Sequence, residues 1–419
     1  MQSTQAIILC AGKSSRFWPL SEESHKSSIR IMGRPIIEYT IDSIINSGIK
    51  DIILIEQNNS NLKDSIEKRP GIRLSHVIQK TPKGMGNALK CAEPHIRGQF
   101  FVLNPYHHNA EKYVLPMIKK SKETGSQMIL LGAPTTTPEN YGIFKLDGDI
   151  AKSITEKPKK QDAPSNTRAI GIYLLPKDFF KTYNKIKEHE YSFEEALTNY
   201  MKENTVCITT TKEPTPTLKY PWHLLEFTKT LMGEHLKQNI RSTPDKTATI
   251  KGVVHIGKNT KIYENALIKG PVYIGDNCII GNNAIIRDYT NIEDNAIIGT
   301  NSEITRTIIQ KNTHIHSGFI GDTIIAQNTK IGAGIITANK KIDRTEINTK
   351  VKGKKTATNL TSLGAIIGQN TTIGINASIM PGIMIGSNTI IGANTEVSQN
   401  IESDTIHYTE YKKTTKKRR

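Results

Sequence analysis

A six-residue period in the C-terminal half limits what this chain can fold into more than any other feature. Isoleucine stands at every sixth position from 250 to 304, ten times in strict register. The period resumes at Ile325 and Ile331, and it returns as isoleucine or valine from 367 to 397. A hexapeptide period is the signature of a parallel β-helix, in which each hexad forms a short strand and a corner. The sequence therefore predicts a β-helix over residues 250–405, with about seven coils of three hexads each.

The other hexad positions agree with this prediction. Small residues stand four positions after the isoleucines, at Thr260, Ala266, Val272, Cys278, Ala284, Thr290, Ala296 and Ser302. Asparagine recurs just before many of them, at Asn259, Asn265, Asn277, Asn283, Asn295 and Asn301. A branched isoleucine suits the interior of the prism, a small residue suits the packing at a corner, and asparagine tolerates the unusual backbone angles there. Residues 340–364 break the period, so we expect a loop that leaves one coil.

The N-terminal half reads as alternating strands and helices. Apolar runs of the strand type occur at 6–10, 51–58, 73–79, 100–105 and 126–134, and helical patterns occur at 36–48, from Gly86 onward and at 110–125. This alternation predicts an α/β, doubly wound, mostly parallel sheet with its ligands at the carboxyl ends of the strands. We expect this Rossmann-like domain over residues 1–230, a linker helix over 231–249 and a basic, disordered tail over 406–419.

The composition is that of a globular protein without a membrane span. The 419 residues suit two domains, and no stretch approaches the roughly 18 apolar residues that a span requires. The four cysteines lie far apart without metal-ligand spacing, which indicates a reduced, cytoplasmic compartment. The net charge of +17 comes partly from KKTTKKRR at 412–419. We expect this tail to be solubilising, with weak contact to nucleic acid or acidic lipid as the alternative.

The end of the first predicted strand carries a candidate phosphate-binding turn. The segment CAGKSSRFWPLSEESHK (10–26) joins a glycine turn and small residues to Arg16 and Lys26. The backbone N–H groups of a tight turn, with two cations, suit a nucleoside triphosphate. The GxxxxGK spacing of a Walker A loop is missing, so the turn by itself identifies no family.

Several motifs stand in an order that resembles a known family. They are CAGKSSR (10–16), HK (25–26), GRPIIEY (33–39), GMGNAL (84–89), ENYGIF (139–144) and EKP (156–158), and the hexapeptide repeats follow them. In this order they resemble the sugar-1-phosphate nucleotidylyltransferases. Most closely they resemble the bifunctional, archaeal-type proteins that join a UDP-N-acetylglucosamine pyrophosphorylase to a glucosamine-1-phosphate N-acetyltransferase. The resemblance covers the chain except for the basic tail. It implies a nucleotide-diphospho-sugar transferase domain, a left-handed β-helix and a homotrimer.

The first reaction of this family is the attack of a sugar phosphate on the α-phosphate of a nucleotide, which releases pyrophosphate. Negative charges meet in that transition state, so it needs cations. The roles that the resemblance implies are phosphate contact for Arg16 and Lys26, base recognition for Gln79 and Gly84, and sugar binding for Gly142 and Glu156. A hairpin turn and a surface carboxylate are the simpler interpretation of the last two residues.

Several family positions of the nucleotidyl transfer site carry other residues in this chain. The family has two magnesium-binding aspartates, and Tyr106 and Thr217 stand at those positions; Ser14 replaces a turn glycine. Because losing a metal clamp removes several kcal/mol of transition-state stabilisation, we expect nucleotidyl transfer to be weak or lost, and a role for Mg²⁺ is doubtful. His107 and His108 are alternative metal ligands, although imidazole is a poor partner for Mg²⁺.

The second reaction of the family transfers an acetyl group from acetyl-CoA to the amine of an amino-sugar phosphate. An ammonium cannot attack a thioester, so a base must first remove a proton, and histidine suits that task near neutral pH. The segment HIHSGFIGDTIIAQNTKIGAGIITANKK (314–341) resembles the catalytic coils of the family. By its spacing to GFIGD, His316 matches the catalytic histidine, with His314 as its rival. Asn339 matches an asparagine that contacts the substrate.

The acetyltransferase segment also departs from the family pattern. Phe319 stands in place of a tyrosine, and Leu360 and Thr361 stand in place of an arginine pair. Phosphate contact could then pass to the basic residues at 340, 341 and 344 or to the lysines of the loop.

Two hypotheses follow, an enzyme that acetylates an amino-sugar phosphate and a non-catalytic trimer that binds a sugar nucleotide or a partner. A rod that serves only oligomerisation is the simplest interpretation of the repeats.

Overall fold

The chain folds into two compact units. The computed structural model describes residues 4–12, 14–23, 25–58, 62–81, 83–189 and 191–418. The first unit holds the described residues up to 12, 27–29 and 35–217, and the second unit holds those of 14–26, 30–34 and 218–418. Within these ranges, every helix is too short or too polar to cross a bilayer.

The first unit is built on one sheet, which has nine strands within the described residues. In pairing order they are Arg73–Gln79, Asp51–Gln57, Gln5–Cys10, Phe100–Leu103, Thr167–Leu175, Met128–Pro134, Val206–Thr210, Ile150–Glu156 and Gly142–Asp147. The first four strands run parallel, and Thr167–Leu175 runs antiparallel to both of its neighbours. The predicted doubly wound fold is confirmed, but among the described strands four of the eight neighbouring pairs are antiparallel, so the sheet is less parallel than predicted. The antiparallel hairpin at one edge, Gly142–Asp147 and Ile150–Glu156, lies outside the runs predicted as strands, although a hairpin turn was one interpretation of Gly142 and Glu156.

Helices pack against both faces of this sheet. They are Ile36–Asn46, Leu62–Ser65, Met85–Ala92, Glu111–Thr124, Phe179–Tyr183 and Ser192–Glu203, with 3-10 turns at Glu93–His95, Pro138–Asn140 and Lys160–Asp162. Successive side chains of a strand point to opposite faces, so alternate residues of the first strand enter different cores. Ile7 packs in one core, whereas Ala6 and Ile8 pack in the other. All three are fully buried, which explains why this strand reads as a continuous apolar run.

The second unit is the predicted left-handed parallel β-helix. Each of three faces is a parallel sheet, to which the described residues contribute eight short strands. The first face contains Asn239–Ile240, Val254–Ile256, Val272–Ile274, Thr290–Ile292, Ile308–Ile309, Ile324–Ile325, Ile366–Ile367 and Met384–Ile385. The second contains Thr249–Lys251, Leu267–Lys269, Ile285–Arg287, Glu303–Thr305, Gly318–Gly321, Ile335–Thr337, Ser378–Ile379 and Glu396–Val397. The third contains Lys261–Ile262, Ile279–Ile280, Ile297–Ile298, His314–Ile315, Lys330–Ile331, Thr372–Ile373, Ile390–Ile391 and Ile406–His407.

The interior and the corners follow the predicted hexad pattern. The periodic isoleucines form one continuous buried core, and Ile256 pairs with Ile274, three hexads further along the chain. The corner asparagines adopt left-handed backbone angles, with φ of 56° at Asn259 and 60° at Asn295. Asparagine enters this region more readily than most side chains, which explains its recurrence.

Three segments differ from the predicted boundaries or refine them. The helix expected at 231–249 instead spans His223–His235, because its buried apolar positions end at Met232 and a polar stretch follows. Residues 340–364 leave the coil as predicted, and within them Asn348–Val351 and Lys354–Ala357 pair as an antiparallel hairpin. The strand Ile406–His407 continues the third face into the expected tail, and residues 408–418 are exposed without regular secondary structure.

Candidate functional site

Both candidate base residues lie on the surface of the β-helix. His314 belongs to a strand of the third face, and His316 stands at the corner that follows it. Both side chains are exposed, and the backbone N–H of His316 donates to the Ile331 carbonyl oxygen at 2.9 Å. The position of His316 is therefore fixed by the coil, while its imidazole is accessible to a substrate.

Phe319 and Asn339 meet at Gly321. Phe319 belongs to the strand Gly318–Gly321 of the second face, and Asn339 follows the next strand of that face. A Cβ atom placed on Gly321 would lie 2.8 Å from Asn339 Nδ2 and 3.0 Å from Phe319 Cζ. Any side chain at this position would push the ring and the amide apart. Gly321 was not among the predicted site residues, although it stands in the GFIGD motif that identified His316.

Asp322 holds Asn339 in place. Its carboxylate accepts hydrogen bonds from Asn339 Nδ2 at 2.5 Å, from Ser362 Oγ at 2.7 Å and from the Arg306 guanidinium at 2.6 and 2.9 Å. Burial raises the pKa of Asp322, but the hydrogen bonds from Arg306, Ser362 and Asn339 outweigh it, so the pKa lies below its usual value. The ionised carboxylate therefore fixes the direction of the Asn339 amide.

The Arg306–Asp322 pair lies where the six-residue period fails. Both residues form single-residue corners with left-handed backbone, at φ of 47° and 49°. The coils are shortened there, since Ile315 pairs with Ile331, two positions fewer than three full hexads. The gap in the isoleucine register between 304 and 325 is the sequence signal that marks these two residues, which were not predicted as part of the site.

The loop after residue 340 closes one side of a cavity in the second unit. The cavity, of about 350 Å³, is lined by Arg306, Asp322, Asn359, Leu360 and Ser362, together with residues of the helix His223–His235. Leu360, which stands at one position of the family's arginine pair, therefore borders the cavity as an apolar group. Thr361 is exposed.

The lysines of the hairpin form a separate exposed cluster, at Lys350, Lys352, Lys354 and Lys355. Of the three basic residues that precede it, Lys341 pairs with Asp343 at 3.4 Å, while Lys340 and Arg344 are exposed. These positions leave several cations available to a phosphorylated ligand.

In the first unit, the two residues expected to read the base lie together. Gln79 is buried at the end of its strand, and its Nε2 donates to Asn87 Oδ1 at 2.7 Å and to the Gly84 carbonyl oxygen at 3.5 Å. Gly84 has a φ of 99° directly before the helix Met85–Ala92. Side chains rarely adopt that conformation, so the position requires glycine.

Gly142 and Glu156 are also brought together. They pair directly across the hairpin at the edge of the sheet. A Cβ atom on Gly142 would lie 2.8 Å from Glu156 Oε2 and 3.0 Å from Ile154 Cδ1. The Glu156 carboxylate therefore lies over a position that only glycine leaves open. The sugar-binding role of the two residues stays a prediction.

The residues at the two family metal positions do not fit a magnesium ion. Mg²⁺ prefers carboxylate oxygens, whereas the half-buried Tyr106 and the exposed Thr217 offer a phenol and a hydroxyl. His107 is buried, and its Nδ1 accepts a hydrogen bond from the Asn104 backbone N–H at 3.3 Å. Burial, with a smaller contribution from His108, lowers the pKa of His107 to about 3. The imidazole is a neutral part of the core.

The two expected phosphate-binding cations, Arg16 and Lys26, belong to the second unit. Arg16 is exposed on the 3-10 turn Ser15–Phe17, and Lys26 Nζ donates to the Leu218 carbonyl oxygen at 2.8 Å. Ser14, which stands for a family glycine, has left-handed backbone with φ of 43°. The backbone conformation that favours glycine is thus retained with serine, at a cost in strain.

The comparisons with known proteins agree with this architecture. Residues 5–215 match the nucleotidyl transferase family, residues 253–288 and 364–399 match the bacterial transferase hexapeptide (six repeats), and residues 271–306 match the hexapeptide repeat of succinyl-transferase. The first unit is similar in fold to a UDP-glucose pyrophosphorylase from Acinetobacter baumannii, at 20% identity and a TM-score of 0.51, over 56% of this chain and 95% of that one. Together they define a transferase with a nucleotidyl transferase domain followed by hexapeptide repeats.

Full-length relatives specify the family further. The bifunctional protein GlmU of Methanococcus maripaludis strain S2 is 31% identical over 409 residues, which cover 96% of this chain and 97% of the relative. A bifunctional sugar-1-phosphate nucleotidylyltransferase/acetyltransferase of Sulfurisphaera tokodaii is 31% identical over 391 residues, which cover 90% and 93%. The chain belongs to the family of bifunctional sugar-1-phosphate nucleotidylyltransferases/acetyltransferases.

Proposed function

We propose that this protein transfers an acetyl group from acetyl-CoA to the amine of an amino-sugar 1-phosphate at the β-helix, and that its nucleotidyl transfer is weak or lost. The observation that carries the proposal is the meeting of Phe319 and Asn339 at Gly321, with Asp322 fixing the amide. Phe319 lies on the same coil as His316, and Asn339 lies on the next coil. The proposal takes His316 as the base that serves this binding wall.

The amino-group nitrogen loses two protons in this reaction. His316 takes the first from the sugar ammonium and releases it to solvent, and the free amine attacks the thioester carbonyl carbon. As the C–S bond breaks and the amide forms, the nitrogen loses the second proton, which His316 passes to the departing thiolate. Asn339 orients the sugar, and the exposed cations of the 340–355 segment contact its phosphate.

The test follows the release of free thiol from acetyl-CoA. The full chain is mixed with acetyl-CoA and either glucosamine 1-phosphate or galactosamine 1-phosphate, beside His316→Ala and His314→Ala variants. We expect release that depends on the amino sugar and that His314→Ala leaves nearly unchanged. No release with either sugar would contradict the proposal.

Binding of a sugar nucleotide without turnover is the second candidate, and it applies to the first unit. The pairs Gln79–Gly84 and Gly142–Glu156 retain geometry suited to a base and a sugar, whereas the metal positions do not fit Mg²⁺. Calorimetric titration with UDP-N-acetylglucosamine should detect binding, and pyrophosphate release with UTP, Mg²⁺ and a sugar phosphate should remain at background.

We further propose that the protein is a cytoplasmic homotrimer, as its family resemblance implies, with neighbouring prisms in contact. Light scattering of the purified chain should give three times the mass of 46.7 kDa. A monomer at micromolar concentration would contradict this assembly.

A further inference from the structure

A short segment of the chain is held by polar side chains on the first face of the β-helix. Residues 30–34 belong to the second unit, together with the coils that they contact. The backbone N–H of Met32 donates to Asn291 Oδ1 at 2.7 Å, and that of Gly33 donates to Glu293 Oε1 at 3.2 Å. The backbone N–H of Arg30 donates to Gln310 Oε1 at 3.2 Å, and Gln310 Nε2 donates to the Arg30 carbonyl oxygen at 2.8 Å. We call residues 30–33 the docked segment.

The carboxyl group that receives this segment is unusual for a β-helix surface. Glu293 is fully buried, and its Oε1 also accepts a hydrogen bond from Asn291 Nδ2 at 2.9 Å. Its Oε2 makes no hydrogen bond within the described residues, and the Arg30 Nε lies 3.8 Å away. A buried carboxylate with one unsatisfied oxygen costs far more free energy than a buried neutral carboxyl group.

Burial raises the pKa of Glu293 to about 7, although the hydrogen bonds from Asn291 and Gly33 and the charge of Arg30 each lower it. Asp294, the adjacent acid, raises it further. The remaining titratable neighbours are the phenol of Tyr273, beside Gly33, and the thiol of Cys278, which donates to the Glu293 backbone oxygen. His255 stacks on Tyr273.

We propose that Glu293 is a positioning residue. Its neutral carboxyl group holds the docked segment in place, and its ionised carboxylate loosens the segment. The segment begins four residues after Lys26, so its docking restrains the part of the chain that carries the expected phosphate-binding lysine. Because the Gly33 N–H bonds the Glu293 carboxyl group directly, the proposal takes undocking to open this group to water and to return its pKa toward the usual glutamate value. Proton binding inside the β-helix and the order of this segment are therefore linked.

The sign of the linkage follows from the raised pKa. Docking is strongest below the ordinary glutamate pKa of 4.5, weakens as pH rises toward 7, and levels off above that value. Between pH 5 and pH 8 the docking equilibrium should fall on the order of 50-fold.

Amide hydrogen exchange of the full chain, followed by mass spectrometry, tests this linkage without any ligand. Protection of the peptide that contains Met32 and Gly33, corrected for intrinsic exchange, should fall on the order of 50-fold from pH 5 to pH 8. In Glu293→Gln, which keeps a neutral group of the same shape, protection should stay level. Glu396→Gln, a change at an exposed position, is the matched control and should behave as the parent protein. A fall of equal size in Glu293→Gln would overturn the proposal.

A second variant keeps the test decisive if Glu293→Gln fails to fold. Arg30→Gln removes the cation that favours the carboxylate, so the midpoint of the fall should move to higher pH. An unchanged or lower midpoint would overturn the role of Glu293.

The consequence for ligands rests on the proposed phosphate contact of Lys26. Calorimetry with UTP at pH 8 should show several-fold tighter binding to Glu293→Gln than to the parent protein. If the variant binds UTP no more tightly, the link from docking to ligand binding is overturned. A failure of both proteins to bind UTP would instead overturn the phosphate role of Lys26, while hydrogen exchange would still decide the docking itself.

Discussion

The two units keep their inherited sites to different degrees. In the first unit, the pairs Gln79–Gly84 and Gly142–Glu156 lie together, but a buried neutral His107 and the phenol of Tyr106 occupy the surroundings of the expected metal position. In the β-helix, the aromatic wall, the amide and the histidine stand on adjacent coils, and Asp322 orients the amide. The residues proposed to bind ligands lie together in both units, whereas the groups proposed to perform chemistry are better preserved in the β-helix.

The difference reflects how each site is built. The β-helix repeats the same hexad pattern, so the coil sets its backbone positions. A substitution such as Phe319 therefore leaves the backbone of the other site residues in place. The first unit gathers its site from separate loops at the ends of strands. There the surroundings of each residue depend on the fold, as the buried His107 beside the half-buried Tyr106 illustrates.

The largest effect is expected from removing the proposed base. His316→Ala should lower acetyl transfer by about a hundredfold or more, because an unassisted ammonium cannot attack the thioester. The measurement is the initial rate of thiol release at saturating acetyl-CoA. His314→Ala, two residues away and equally exposed, is the matched control. A larger loss in His314→Ala would exchange the roles of the two residues.

A smaller effect on the free energy of unfolding is expected when the pH is lowered, through protonation of His107 in the first unit. A lowered pKa means that the native state favours the neutral ring, so stability is present above the ordinary value of 6.5 and is lost as pH falls toward about 3. Between pH 6.5 and pH 5 the loss should be about 2 kcal/mol in the free energy of unfolding. Hydrogen exchange in the strand Phe100–Leu103 would measure it.

The variant His107→Gln should remove most of that acid dependence, since glutamine does not titrate. His95→Gln, at an exposed position of the same unit, should leave it intact. An equal acid loss in His107→Gln and the parent protein would show that the ring is not the responsible group.

Ligand binding by Gly142 and Glu156, the pair proposed to bind the sugar, should be sensitive to a single added methyl group. Gly142→Ala places a Cβ 2.8 Å from Glu156 Oε2, so the carboxylate must move. We expect the affinity for UDP-N-acetylglucosamine to fall about tenfold, the scale of one charged hydrogen bond. The control is Gly148→Ala, in the turn of the same hairpin. The added Cβ meets no atom within 4 Å, but the φ of 58° makes the substitution strained, so this variant measures the effect of backbone strain alone. Equal losses in both variants would assign the effect to the hairpin.

The smallest effect should come from restoring the family hydroxyl in the β-helix. Phe319→Tyr adds an oxygen at Cζ, the ring atom that borders the Gly321 position together with the Asn339 amide. One hydrogen bond of about 1 kcal/mol should raise kcat/KM for acetyl transfer several-fold. Phe319→Leu, which removes the ring, should lower it. A lower value for Phe319→Tyr would mean that the site has adapted to the phenylalanine.

The sequence was informative where structure is local and uninformative where it depends on packing. Each hexad carries its own signal, so the β-helix and the left-handed corners such as Asn295 were predictable. The Arg306–Asp322 pair was not predicted, because it lies in shortened coils and joins residues from different corners. The buried state of His107 was equally hidden, since His107 and His108 look alike in sequence and only the fold sets their surroundings.

The most direct test compares the two activities in one preparation of the full chain. Thiol release from acetyl-CoA with an amino-sugar 1-phosphate is measured beside pyrophosphate release from UTP with Mg²⁺ and the same range of sugar phosphates. We predict thiol release that requires the amino sugar and His316, and pyrophosphate release about a thousandfold slower, as loss of a metal clamp implies. Pyrophosphate release as fast as thiol release, or faster, would contradict the conclusion that the chemistry resides in the β-helix.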